Sequence, residues 1–167
     1  MALIKMLNLY ELAKQLIDKC RENNYKLAVA ESCTGGLISS VITSIPGSSD
    51  IFDCGFITYS NNSKKKILNV SENHLNLFGA VSEEVVVEMI NGLRKKTDSD
   101  IFLAISGIAG PGGGTINKPE GLVWLSYALK NNIVKTSKLE FGPIGRDLVR
   151  KKSTIHSLNL LLSLIGG

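Results

Sequence analysis

Apolar residues recur at intervals of three and four from Leu9 to Cys20: Leu9, Leu12, Ala13, Leu16, Ile17 and Cys20. That spacing lays them on one face of a helix, with Cys20 there as a small core residue. Asn23-Asn24 ends the helix, and KLAVA (26–30) reads as a short buried strand. The next helix is predicted from Thr34 to Thr43, stopped near Pro46-Gly47. IFDCGFITY (51–59) has the aromatic and β-branched content of a strand. Asn61-Asn62 closes it, SKKKIL begins another helical turn or two, and SENHLNLF (71–78) is a polar stretch.

Ser82 can cap a helix over EEVVVEMINGLRKK, whose glutamates open it and whose basic residues close it, both favourable to the helix dipole. Its buried stripe is Val86, Met89 or Ile90, and Leu93. IFLAI (101–105) is apolar without alternation, as in a central strand covered on both faces. After the loop SGIAGPGGGTINKPEG, the runs LVWLSYAL and IVKTSKLEF are joined by Lys130-Asn131-Asn132, which suits an antiparallel hairpin. A last helix runs from about Arg146 to Ile165 with an inner stripe of Leu148, Ile155, Leu158, Leu162 and Ile165. Helices between early strands followed by a hairpin predict an α/β fold: a three-layer α/β/α sandwich with a mixed, mostly parallel central sheet. No internal repeat or linker interrupts residues 1–167, so one domain is expected.

Composition narrows the function classes. A net charge of +4 is modest, and the runs Lys64-Lys65-Lys66, Arg94-Lys95-Lys96 and Arg150-Lys151-Lys152 are scattered. Nucleic-acid binding calls for basic residues gathered on one face or for a recognisable module, and neither is present. A small anionic ligand fits the balance. Cys20, Cys33 and Cys54 form no CxxC spacing and are expected as free thiols in a reducing compartment. The start has charges too early and too often for a signal peptide, and LNLLLSLIGG is too short to span a bilayer. A cytoplasmic protein without membrane association is expected. Leu160, Leu161 and Leu164 widen the apolar surface of the last helix beyond its stripe, which predicts a subunit interface and a homo-oligomer.

The chemistry gathers in three places. In AESCTGG (30–36), Ser32 stands at a strand-to-helix turn, and the backbone N–H groups around Cys33 to Gly36 are expected to be unpaired beside it. Nucleophile and oxyanion hole would then come from one heptapeptide, as acyl transfer requires. A plain N-cap is the competing role for Ser32. Cys33 is the rival nucleophile, since a helix N-terminus favours a thiolate; His74 and His156 are distant in sequence. TYSNNSKKK (58–66) supplies the second element. A lysine amine buried against apolar groups loses proton affinity and can serve as base, with a tyrosine hydroxyl to relay the proton. The residue pattern does not choose among the three lysines. In the third region, Ser106 and Gly107 leave a strand where open α/β sheets bind ligands. The amides of Gly110 to Gly114 can meet an anion, and Arg146 can offer a forked contact to phosphate or carboxylate. No clustered ligand spacing suggests a metal.

In combination, AESCTGG, GFITYSNNSK, GAVSE and SGIAGPGGGTINKPEG with LVW resemble the CinA C-terminal domain family over roughly Leu9 to Leu162. The resemblance implies a stand-alone amidohydrolase that deamidates nicotinamide mononucleotide without a cofactor. It implies Ser32 as nucleophile and, through the YSNxxK pattern, Tyr59 and Lys64 as its partners, which singles out Lys64 from the lysine run. Thr34, Gly35, Gly36, Ser106, Gly107, Gly112, Gly113 and Arg146 are the expected substrate contacts. A glycine in GPGGGT stands where some relatives carry aspartate. The alternative from a different class is a non-catalytic nucleotide-binding or regulatory module of the same fold.

Overall fold

The computed structural model describes the backbone of residues 2–166 and the side chains of residues 9–166. Five strands form one sheet in the order β2-β1-β3-β4-β5. They are β1 (Leu27–Glu31), β2 (Phe52–Ile57), β3 (Ile101–Gly107), β4 (Leu122–Leu129) and β5 (Lys135–Glu140). β1 lies parallel to β2 and to β3, while β3–β4 and β4–β5 are antiparallel. Four of the five strands therefore run in one direction, and the expected late hairpin is present.

Alternation along the strands divides the core in two. Leu27 and Val29 of β1 and Ile101, Leu103 and Ile105 of β3 face α1 (Ala2–Glu22), α2 (Leu37–Thr43) and α6 (Arg146–Gly166). Ala28, Ala30, Phe102 and Ala104 face the opposite side, against α3 (Asn61–Leu68), α4 (Glu72–Phe78) and α5 (Glu83–Lys96). These are the three layers. The small Ala28, Ala30 and Ala104 let α5 lie close to the sheet. Val85, Val86, Met89, Ile90 and Leu93 of α5 are fully buried there, each such side chain contributing about 1.5–3 kcal/mol. Ser82 caps α5 by accepting from Val85 N–H, as expected.

Three elements differ from the sequence-based reading. The helix predicted from Thr34 begins at Leu37, because Gly35 and Gly36 adopt positive φ values of 58° and 90°. Such angles suit glycine and break helical geometry, so residues 32–36 form a turn instead. The polar stretch 71–78 contains α4, capped by Ser71 and buried through Leu75.

The stripe of α6 is rotated by about one residue. Val149, Ser153, Thr154, Ser157, Leu158 and Leu161 are the buried positions, whereas Leu148 is exposed. Thr154 and Ser157 donate their hydroxyls to the carbonyls of Arg150 and Ser153, which lets hydroxyl side chains enter the core and hides the true face from a hydrophobicity count. Leu161 is fully buried within the chain, and Leu160 and Leu164 pack against the same core. The residues expected to form a subunit interface thus have partners inside the chain. No described helix is long and apolar enough to cross a membrane.

Candidate active site

The parallel strands β1, β2 and β3 end side by side, and the chain leaves each end with a polar residue. Ser32 follows β1, Thr58 and Tyr59 follow β2, and Ser106 is the next-to-last residue of β3. This is the edge where open α/β sheets hold ligands.

Ser32 is buried, 7% exposed, and its N–H donates to Ile105 O at 3.0 Å. Its side chain does not cap α2, and the N-cap position is Gly36, which removes the plain-cap role. The cap is supplied from an unexpected direction. Glu31, wholly buried, accepts from Gly36 N–H at 3.0 Å, Ile38 N–H at 3.1 Å, Ser39 N–H at 2.8 Å and the Ser39 hydroxyl at 2.6 Å. Gly35 N–H donates to Ser32 O. The unpaired amides expected from Cys33 to Gly36 therefore narrow: those of Gly35 and Gly36 are engaged, and those of Cys33 and Thr34 have no oxygen acceptor among the described residues.

Lys64 reaches Ser32 from α3. Ser60 and Ser63 cap that helix reciprocally, and Leu68, one turn beyond Lys64, fixes which face turns inward. Lys64 Nζ donates to Ser32 Oγ at 2.9 Å, to Thr58 O at 2.8 Å and, more weakly, to Tyr59 O at 3.4 Å. The residue is only 1% exposed and forms no ion pair among the described residues. Burial without a counter-charge pulls the ammonium pKa from 10.5 down to about 8. Lys65 pairs instead with Glu72, and Lys66 lies exposed. Geometry thus separates the three lysines that the residue pattern left equivalent.

Cys33 sits beside Ser32 but is 5% exposed. Burial pushes its thiol up to about 12, against the pull of the Cys33 and Thr34 N–H groups and of Lys64; Glu31 adds to the rise. A thiol so held is protonated near neutrality.

A cleft of about 180 Å³ opens over the pair. Ser32, Cys33 and Lys64 form its floor, and Tyr59, Ser106 and Arg146 stand around it, with Val81 among the remaining walls. The Tyr59 hydroxyl makes no hydrogen bond to Lys64; it accepts from Arg146 Nη2 at 2.6 Å, while Arg146 Nη1 donates to Gly110 O at 3.2 Å. Ser106 Oγ is buried and has no partner among the described residues, as are the Thr34 and Thr58 hydroxyls. Gly107 has a packing reason: a Cβ there would stand 2.7 Å from Val123 Cγ2 and 3.0 Å from Cys33 Sγ. Gly112 and Gly113 lie on an exposed loop outside the cleft lining, and Gly112 N–H donates to Glu120 Oε2 at 3.1 Å. Glu31, Arg150 and Glu120 were absent from the sequence-based site. An acidic residue closing an apolar strand before two glycines is the signal that could have revealed Glu31.

A three-layer α/β/α domain with a serine and a buried lysine joined at the carboxyl ends of its parallel strands defines the class. The CinA C-terminal domain family model matches residues 9–165. The chain belongs to that family. It is 44% identical to the nicotinamide-nucleotide amidohydrolase PncC of Enterobacter agglomerans over 154 residues, covering 92% of this chain and 93% of that protein. It is 48% identical to a CinA-like protein of Thermotoga neapolitana, but spans only 34% of that relative's length. Its fold superposes on the competence/damage inducible protein CihA of Agrobacterium tumefaciens with a TM-score of 0.92 at 38% identity, over 94% and 95% of the two chains.

Proposed function

We propose that this chain hydrolyses the carboxamide of nicotinamide mononucleotide, releasing ammonia and leaving nicotinate mononucleotide. The hydrogen bond of 2.9 Å from the buried Lys64 ammonium to Ser32 Oγ carries the reading. Likeness to an amidohydrolase of almost the same length supports the substrate.

Neutral Lys64 takes the Ser32 proton as Oγ attacks the amide carbon. The oxygen that becomes negative meets the free Cys33 and Thr34 N–H groups, which stabilise it without rearrangement. Protonated Lys64 then donates to the departing nitrogen, which leaves as ammonia, and the acyl group stays on Ser32. Water attacks the ester, its proton passes to Lys64, and Ser32 Oγ recovers a proton as nicotinate mononucleotide departs. With a pKa of about 8, about a tenth of the lysine is already neutral at pH 7. An unperturbed lysine would supply far less.

The cleft of about 180 Å³ is smaller than the usual range for ligand sites, about 300–1,000 Å³. It takes the pyridine carboxamide, with Ser106 Oγ positioned in the wall to bond it, while the ribose phosphate passes outward beside Tyr59 and Arg146. Ammonia and nicotinate mononucleotide should form in equal amounts, and chelating agents should leave the rate unchanged. kcat/KM should rise with pH and level off above about pH 8, because the base works only when deprotonated. Saturable binding of the mononucleotide with no product after long incubation would instead establish a non-catalytic module.

Arg146 is the phosphate contact in this reading. Its guanidinium keeps donors beyond those held by Tyr59 and Gly110, and the loop amide of Gly112 is already occupied by Glu120. Arg146→Ala should raise KM for the mononucleotide by about 10- to 100-fold, as loss of a charge-assisted contact predicts. Nicotinamide riboside, lacking the phosphate, should be affected little. Equal losses on both substrates would assign Arg146 to catalysis or folding.

A further inference from the structure

We infer that Glu31 and Arg150 are positioning residues that define the oxyanion hole, by holding the start of α2 and the Thr34 carbonyl while the N–H groups of Cys33 and Thr34 keep no oxygen acceptor. The inference rests on the serine–lysine reading of the same site. The N–H groups from 32 to 39 can be followed one by one. Ser32 donates to Ile105 O, Gly35 to Ser32 O and Leu37 to Thr34 O. Gly36, Ile38 and Ser39 donate to Glu31. Cys33 and Thr34 remain; both N–H groups act on the Cys33 thiol, and Cys33 is among the residues that line the cleft.

Glu31 performs a task that a conventional cap could not. The N-cap position must be a left-handed residue for the chain to turn, and Gly36 at φ 90° has no side chain to accept a hydrogen bond. A carboxylate from the end of β1 reaches across the turn and holds the start of α2, so strand end and helix start are tied through one side chain. Its two oxygens take four donors, which compensates a wholly buried charge. Arg150 fixes the middle of the turn from the other direction. From the second turn of α6 its Nε and Nη2 donate to Thr34 O at 3.2 and 2.8 Å. That carbonyl also accepts Leu37 N–H, so it cannot swing without breaking several bonds together. Pinned at both ends and in the middle, the peptide units before Cys33 and Thr34 present their N–H groups in one orientation. Preorganisation of that kind is what makes an oxyanion hole effective.

Glu31→Gln, Arg150→Ala and Arg150→Lys test the assignment, with Ser32→Ala as control. Each is assayed for kcat and KM on nicotinamide mononucleotide, for affinity toward nicotinate mononucleotide, and for thermal unfolding. Glu31→Gln keeps the shape but turns an NH2 group toward N–H donors, and kcat should fall about 100-fold, the scale of losing an oxyanion donor. Arg150→Ala should lower kcat about 10-fold, partly restored in Arg150→Lys. KM and product affinity should stay within about threefold of the parent, because ground-state binding does not use the two N–H groups. Unchanged kcat in the folded Arg150 variants, or a loss appearing only in KM, would overturn the inference. If Glu31→Gln does not fold, the Arg150 pair decides. Should Ser32→Ala remain active, the serine–lysine reading itself fails; should it be inactive while the Arg150 variants keep full kcat, only the positioning inference fails.

Discussion

Lys64→Met should give a protein more stable than the parent and without measurable deamidation. The buried ammonium has no counter-ion, and its pKa of about 8 instead of 10.5 corresponds to a destabilisation of about 3 kcal/mol near pH 7. Methionine matches the length of the lysine stem and carries no charge to desolvate. Thr58 O and Ser32 Oγ lose their donor, which returns about 1 kcal/mol of the gain. A net increase of about 2 kcal/mol amounts to about 4–8 °C in Tm for a chain of this size.

The pH dependence has a definite sign. Between pH 8 and 10.5 the unfolded lysine binds more protons than the folded one, so the parent gains stability as pH rises through that window. The advantage of Lys64→Met should therefore be complete below pH 8 and gone above about pH 10.5. Thermal melts of both proteins from pH 6 to pH 10.5 measure it. A variant less stable than the parent at pH 7 would show that Lys64 is held as a favourable structural cation rather than under strain for chemistry.

Ser32→Ala should have the second large effect, on turnover alone. Removing the nucleophile of a hydroxyl-based hydrolase lowers kcat by about 10⁶-fold in the best-studied case, leaving only the assistance of binding and oxyanion groups. Here Lys64 would keep its bond to Thr58 O at 2.8 Å, and Ser32 N–H would still pair with Ile105 O. The fold and the affinity for nicotinate mononucleotide should therefore persist. Calorimetric titration with that product, beside an ammonia assay, separates loss of chemistry from loss of binding.

The sequence exposed those parts whose cause is periodic or local. α5 was legible because its apolar stripe, serine cap and end charges agree, and β3 because its apolar run lacks alternation. The late hairpin followed from two apolar runs and a short polar join. The start of α2 is not legible in composition, because two left-handed glycines shorten the helix while the adjoining residues have ordinary helical composition. The stripe of α6 was out of phase because Ser153, Thr154 and Ser157 are buried with hydroxyls that read as polar.

In the site, Ser32 was visible as a residue at a turn, and Lys64 emerged through the family motif. What makes Lys64 distinct is three-dimensional: it lies one turn before Leu68 on the inward face of α3, while Lys65 finds Glu72. Tyr59 was expected beside the lysine, and its hydroxyl lies with Arg146 instead. Glu31 and Arg150 act through backbone groups of the turn, and a contact from position 150 to position 34 leaves no local trace.

The central claim, that the attacking atom is the Ser32 oxygen and not the neighbouring sulfur, is tested most directly by the turnover of Cys33→Ala. Alanine fits the small buried site and offers no nucleophile of any kind. With Ser32 and Lys64 intact, ammonia release from nicotinamide mononucleotide should stay within about tenfold of the parent, the loss reflecting packing beside Gly107 and the cleft floor. A folded Cys33→Ala protein as inactive as Ser32→Ala would contradict the account and move the nucleophile to sulfur.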